Sequence, residues 1–235
     1  MWSGPRNLST AMMRSFGARA DCTVWDEPFF APFLQVTGKA HPGREETLAA
    51  HETEADKVAE QISSPVRTAY HFLKNMPHHM LEGFPQSWMK TAKHFFLLRE
   101  PERVIASYAK GRAEFDLDDL GFAPQRRLFD TLTHQTGQAP PVIQSEDILK
   151  HPEKALRVLC AAIHIPFDKA MLSWPAGARP EDGAWAPYWY ASVENSTGFG
   201  APSQTVPHVP DTYRPYLDQC QDDYKVLAKQ ALVIS

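Results

Sequence analysis

Apolar positions along this chain fall into two patterns: short unbroken runs, and longer stretches in which they recur at helical spacing. Phe95-Phe96-Leu97-Leu98 is the clearest run; it stops at Arg99-Glu100-Pro101 and predicts a strand buried on both faces of a parallel sheet. Thr23-Val24-Trp25, Val66 to Leu73 and Val142-Ile143-Gln144 have strand character as well, and Met1-Trp2 leaves room for only a short first strand. Helical spacing marks Ala11 to Phe16, Glu102 to Lys110 and Arg126 to Thr133, and predicts one solvated helix from Arg44 to Ile62 with a single buried stripe. Pro152 opens an amphipathic helix bearing Leu156, Val158, Leu159, Ala162 and Ile163, and Pro210 to Val233 closes the chain as another. Strands and helices alternate, so the predicted class is α/β with a parallel sheet of five strands.

After Trp174 the texture changes. Pro, Gly, Trp and Tyr crowd into Trp185-Ala186-Pro187-Tyr188-Trp189-Tyr190, followed by Ser196-Thr197-Gly198-Phe199-Gly200. This is loop chemistry rather than a second domain, and its aromatic side chains suit either a lid packed on the sheet or a surface that stacks on a base. One domain over residues 1–235 is expected from the length.

Composition narrows the function classes. Hydrophobic residues at 43% and charged ones at 22% describe an ordinary globular protein, and a net charge of −4 argues against general nucleic-acid binding, so any anion site is local. No apolar run approaches a membrane span and Met1-Trp2-Ser3 is no signal peptide, which predicts a cytoplasmic protein without membrane contact. Cys22, Cys160 and Cys220 are odd in number and lack Cys-x-x-Cys spacing; they read as reduced packing residues, with no disulfide framework or zinc site. The oligomeric state stays open, a homodimer included.

Candidate chemistry concentrates where predicted strands end. Ser3-Gly4-Pro5-Arg6-Asn7-Leu8-Ser9-Thr10 is a turn feeding a helix, either an ordinary N-capped start or a cradle whose free N–H groups, Arg6 cation and paired hydroxyls suit a phosphate. It fails the Walker A pattern, because Ser9 and Thr10 stand where Gly and Lys belong. Asp26-Glu27-Pro28 follows the second strand, and the proline predicts an extended Glu27 at a strand's carboxyl end. Phe29 to Val36 could wall an acceptor pocket or be core. Lys74-Asn75-Met76-Pro77-His78-His79 ends the third strand; its histidines either flank the next helix or face a site. The fourth strand ends in Arg99, where a nucleoside triphosphatase would carry a magnesium-binding aspartate, so a cation awaits a further phosphate. Glu146-Asp147 is expected to cap helices and tie loops more than to catalyse.

Three segments resemble the sulfotransferase superfamily. Pro5-Arg6-x-x-Ser9-Thr10 resembles its phosphosulfate loop, in which the cation and the paired hydroxyls have this spacing, although Leu8 replaces a glycine. Phe96 to Tyr108 resembles its 3′-phosphate motif, where an arginine ends a strand and a serine eight residues later projects from the next helix, here Arg99 and Ser107. Gln144 to Glu153 is similar to the structural segment after the family's later core strand, and Glu27 falls where bacterial members place a glutamate base. Gly198-Phe199-Gly200 stands near the family's late glycine loop but lacks a basic neighbour.

The resemblance implies a three-layer α/β/α fold of P-loop nucleotide-kinase type. It also implies transfer of a sulfuryl group from 3′-phosphoadenosine 5′-phosphosulfate to a hydroxyl or amine of a small-molecule acceptor, without a metal. Arg6, Asn7, Ser9 and Thr10 would hold the 5′ end and Arg99 with Ser107 the 3′-phosphate. Arg6, assisted by Lys74, would stabilise the leaving charge, and Glu27 would be the base, with His78 or His79 in reserve. Two rivals are a kinase-like phosphotransferase and a nucleotide-binding module without turnover.

Overall fold

The first strand, Trp2–Ser3 (β1), is the hinge of the sheet even though it is two residues long. It runs parallel to Phe96–Leu98 (β4), with Trp2 opposite Phe96, and β4 runs parallel to Val142–Gln144 (β5). Cys22–Asp26 (β2) and Tyr70–Lys74 (β3) form a second parallel ladder in which Asp26 lies opposite Lys74. The predicted single five-strand sheet is therefore two ladders, three strands and two. They are stitched by a Trp2–Asn75 bridge and by Met1 N donating to Leu73 O, Asn75 N to Met1 O and Ser3 N to Asn75 O, each at 3.0 Å. So short a β1 cannot sustain a full ladder on both sides. The computed structural model describes residues 1–112 and 115–234.

Helices cover both faces because β4 is apolar at every position. Phe96 and Leu98 join a core with Pro101–Gly111 (α5), Phe122–Thr136 (α6) and Arg214–Ala228 (α11). Phe95 and Leu97 join the opposite core with Ser9–Gly17 (α1), Ser145–Lys150 (α7) and Pro152–Ala162 (α8). Cys22, Cys160 and Cys220 are buried and unpaired. No helix among the described residues is long and apolar enough to cross a membrane.

Several expected elements are redrawn. The single helix over 44–62 is two, Arg44–Ala50 (α3) and Ala55–Ser63 (α4). Between them Glu52 Oε1 accepts from the N–H groups of Thr53 and Glu54, a local bond that competes with helix, and His51 Nε2 accepts from Ala184 N at 3.1 Å. Phe29 to Val36 becomes the helix Phe30–Thr37 (α2). Glu27 is not extended: β2 ends at Asp26 and Glu27 takes φ +40°. Its N–H donates to Lys74 O at 2.8 Å while its carbonyl accepts from Phe30 N at 2.9 Å, so this residue absorbs the turn from sheet into α2. The aromatic segment holds two short helices, Ala186–Trp189 (α9) and Ala191–Glu194 (α10), and Trp185 and Tyr190 pack with Phe30, Phe33 and Leu34 in a third apolar cluster. The closing helix stops at Ala228, after which Ala231 bridges to Val142 at the sheet edge.

Two contacts hold the turn after β1 and the aromatic segment in place. Gly121 takes φ +80°, and a Cβ there would lie 2.9 Å from Gly4 Cα and 3.3 Å from Pro5 Cδ. Arg14 of α1 and Asp182 form a buried two-pronged ion pair at 2.6 Å for each contact. Gly121→Ala should lower stability by about 2 kcal/mol or more, from left-handed strain plus overpacking, measured by denaturant unfolding. Asp182→Asn should cost about 3 kcal/mol, since it leaves a buried guanidinium uncompensated. It should also accelerate amide exchange across residues 183–194 before the sheet opens.

Candidate functional site

The segments that follow β1, β2, β3 and β4 all open into one cavity of about 510 Å³, at the carboxyl ends of the strands. Arg6, Ser9, Thr10, Glu27, Lys74, His78, His79, Arg99 and Ser107 line it, so candidates scattered over a hundred residues of sequence meet in one place. The aromatic segment closes it through Trp185, Trp189 and Tyr190, and Gly198-Phe199-Gly200 contributes a further wall.

At one end the turn after β1 is shaped as an anion cradle. Arg6 and Leu8 take φ +59° and +73°, which turns the chain sharply into α1, and no side chain caps the helix. The glycine that Leu8 replaces in the resembling loop would adopt this conformation without strain. The turn's carbonyls are drawn back to protein partners: Arg99 donates to Arg6 O at 2.7 Å, and Ser145 Oγ lies 2.7 Å from Asn7 O. Met12 N donates to Leu8 O, so the N–H groups of Ser9, Thr10 and Ala11 precede the first intrahelical bond. These uncapped donors fit a phosphate. The Asn7 side chain does not join them; it is buried, donates to Leu97 O at 3.3 Å and holds the turn to β4.

Arg99 and Ser107 both face the cavity without touching each other. Ser107 Oγ accepts from Arg6 Nε at 2.9 Å, whereas Arg99 Nε lies 3.3 Å from Glu146 Oε1, an oxygen also 3.4 Å from Arg103 Nε. Glu146 thus ties two arginines together from α7, and burial raises its carboxyl above the usual range. Burial and the neighbouring Arg99 charge lower the Arg6 guanidinium, as expected of two cations that face a space for an anion.

The other end is built on Lys74. Its ammonium is 1% exposed and bonds Asp26 Oδ1 at 2.7 Å, Tyr190 OH at 2.8 Å and Glu27 Oε1. Those three donors are spent, so Lys74 serves the carboxylates and has none left to assist Arg6. Burial, opposed by Lys74 and reinforced by Asp26, raises Glu27 from 4.5 to about 7. His79 Nδ1 is 3.6 Å from Glu27 Oε2, and the His79 ring stacks on Phe30. Burial lowers His78 to about 4 and His79 well below its ordinary value, so both rings are neutral at pH 7 and weak as bases. Asp26 and Tyr190 were missed as functional residues. Asp26 could have been found from the β2–β3 register, but nothing in the sequence pairs Tyr190 with Lys74.

A family model described as "Sulfotransferase domain" matches residues 1–226. Two Arabidopsis thaliana proteins, "Branched-chain-amino-acid aminotransferase-like protein 2" and "Branched-chain-amino-acid aminotransferase-like protein 1", are 37% and 38% identical over 227 residues. The match covers 96% of this chain but 40% of each relative, so the chain spans well under half of their length. Among solved structures, the sulfotransferase domain from the Synechococcus PCC 7002 olefin synthase aligns with a TM-score of 0.54 at 16% identity, over 95% of this chain and 92% of that one. The sulfotransferase domain from the curacin biosynthetic pathway gives 0.52 at 14% identity, over 94% and 95%. At such identities the likeness is one of fold. The family match runs through every segment that lines the cavity, and the chain belongs to the sulfotransferase domain family.

Proposed function

We propose that this chain moves a sulfuryl group from 3′-phosphoadenosine 5′-phosphosulfate to a hydroxyl or amine of a small-molecule acceptor. The observation that carries the reading is that an uncapped helix start with two arginines and a carboxyl raised to about 7 share one cavity. A nucleotide donor needs the first and a proton-losing acceptor needs the second. The donor supplies a sulfur joined to a good leaving oxygen. What remains for the protein is to hold, orient and remove a proton, with positioning and fixed electrostatics doing most of the work.

In this reading the α1 N–H groups, with the Ser9 and Thr10 hydroxyls, hold the 5′-phosphate, and Arg6 sits beside the oxygen that gains charge. Arg99 and Ser107 take the 3′-phosphate, Arg99 by turning from Glu146 and Ser107 by exchanging its bond to Arg6. The acceptor oxygen forms its bond to sulfur as the sulfur–phosphate oxygen bond breaks, and its proton passes to Glu27 Oε2. A base with a pKa near the working pH is well matched to that task. Phe30, Trp185 and Trp189 exclude water from the acceptor end.

Two experiments test this. Adenosine 3′,5′-bisphosphate should raise the melting temperature more than its analogue lacking the 3′-phosphate and more than magnesium-ATP, in proportion to log concentration above Kd. Arg99→Ala should weaken the bisphosphate by about 1.5 kcal/mol or more and leave the analogue nearly unchanged; equal losses would remove Arg99 from the 3′-phosphate.

For the base, turnover with a labelled donor and a panel of acceptors should rise with pH through about 7 as Glu27 loses its proton. Glu27→Gln should abolish that limb and cut turnover by about a hundredfold, with bisphosphate affinity kept. Stability carries the same signature. A carboxyl whose pKa is raised on folding contributes stability that is complete below 4.5 and is lost as pH rises through about 7. The wild type should therefore lose melting temperature over that window relative to Glu27→Gln.

A further inference from the structure

The Tyr190 hydroxyl sits among three polar partners in a site with almost no solvent. It is 2.5 Å from Asp26 Oδ2, 2.8 Å from Lys74 Nζ and 3.0 Å from Trp185 Nε1, and the residue is 4% exposed. A phenol has one proton and two lone pairs, and ammonium and indole N–H can only donate. The lone pairs therefore go to Lys74 and Trp185, and the proton goes to Asp26. The direction of every bond follows from chemistry alone.

The consequence is an unequal pair of carboxylates. Asp26 receives Lys74 on Oδ1 and both Tyr190 OH and Gly183 N, at 3.2 Å, on Oδ2. Glu27 receives Lys74 on Oε1, while Oε2 has no hydrogen bond among the described residues and its neighbour His79 Nδ1 stands off at 3.6 Å. Glu27 lines the cavity and Asp26 does not. Asp26 is solvated by the protein, so the proton-accepting task falls to Glu27.

We infer that Tyr190 is a positioning residue for Glu27: its hydroxyl, delivered by the aromatic segment, joins Lys74 to Asp26 and leaves Glu27 as the carboxylate that meets the acceptor. The inference rests on the sulfotransferase reading for the acceptor, but the bond pattern stands without it. The segment also reaches the phosphate end, where Arg6 NH1 lies 3.5 Å from Trp189 O. One short stretch of chain thus contacts both ends of the cavity.

The charged and titratable groups around Glu27 are Asp26 from β2, Lys74 from β3, His79 from the turn Pro77–His79, and Tyr190, with His78 acting on His79. Lys39 and His41, on the stretch after α2, act on the two histidines, and His51 faces Asp26. Of these, the Tyr190 hydroxyl can be removed without changing a formal charge. Asp26 would then draw more of Lys74, and Glu27 would hold its proton more tightly.

The test is an NMR titration of labelled glutamate carboxyls in the full chain, which needs no substrate, together with the pH profile of transfer. Tyr190→Phe should raise the Glu27 midpoint by about half a pH unit or more, the scale of one lost hydrogen bond. Replacing Tyr190 with a ring-fluorinated tyrosine, a stronger donor of the same shape, should lower it. The rising limb of the kcat profile should follow both shifts, with bisphosphate affinity within about twofold of wild type. A purely structural tyrosine would change the melting temperature and would not move the midpoint in opposite directions. A Glu27 midpoint unmoved in the folded variants overturns the inference, and if Tyr190→Phe fails to fold, the fluorinated variant decides alone. Opposite midpoint shifts in a protein that transfers no sulfuryl group support the role of Tyr190 and overturn the sulfotransferase reading instead.

Discussion

A single buried ammonium organises one end of the cavity in this protein. Lys74 lies at the end of β3, opposite Asp26 in the ladder, and is buried. A cation so placed must be met by fixed partners, because its desolvation is otherwise worth several kcal/mol. Asp26 and Glu27 on one strand end and Tyr190 on a distant segment supply them. Two carboxylates around one cation leave an excess negative charge. Its natural relief is protonation of the less solvated carboxyl, which is how a structural ion pair becomes a group that titrates near neutrality.

The same need for satisfied polar groups shapes the other end of the cavity, at the turn after β1. Here the turn gives its carbonyls to Arg99 and Ser145 and keeps its N–H groups unspent. Arg99, which lines the cavity, thus holds the backbone of the turn with one guanidinium nitrogen and Glu146 with another. The aromatic segment closes the space between the two ends. Its anchor is the buried Arg14–Asp182 pair, which fixes to α1 a stretch that lacks long secondary structure of its own.

The helix–strand alternation, the two-faced burial of β4 and the placing of Arg6, Ser9, Thr10, Glu27, Lys74, His78 and Arg99 just after strands were legible in the residues. Each is a local matter: an apolar run, a proline, a turn of small residues. The direction of the Asn7 side chain was not legible, because a turn residue's side chain can point to cavity or core with the same backbone, and here Leu97 O draws it inward. The break between α3 and α4 was missed because Glu52 and His51 read as ordinary helix residues until their partners are known.

The sequence by itself determined which segments could be strands, which polar residues would end them, and that a cation rather than an acid would stand after β4, because these depend on neighbours within a few positions. Tertiary structure alone decided that Asp26 would share Lys74 with Glu27, that Ser107 would meet Arg6 rather than Arg99, and that Tyr190 would reach Lys74 and Asp26 from more than a hundred residues away. The physical reason is desolvation. A buried charge takes whichever partners the packing brings within reach, and sequence distance has no part in that choice.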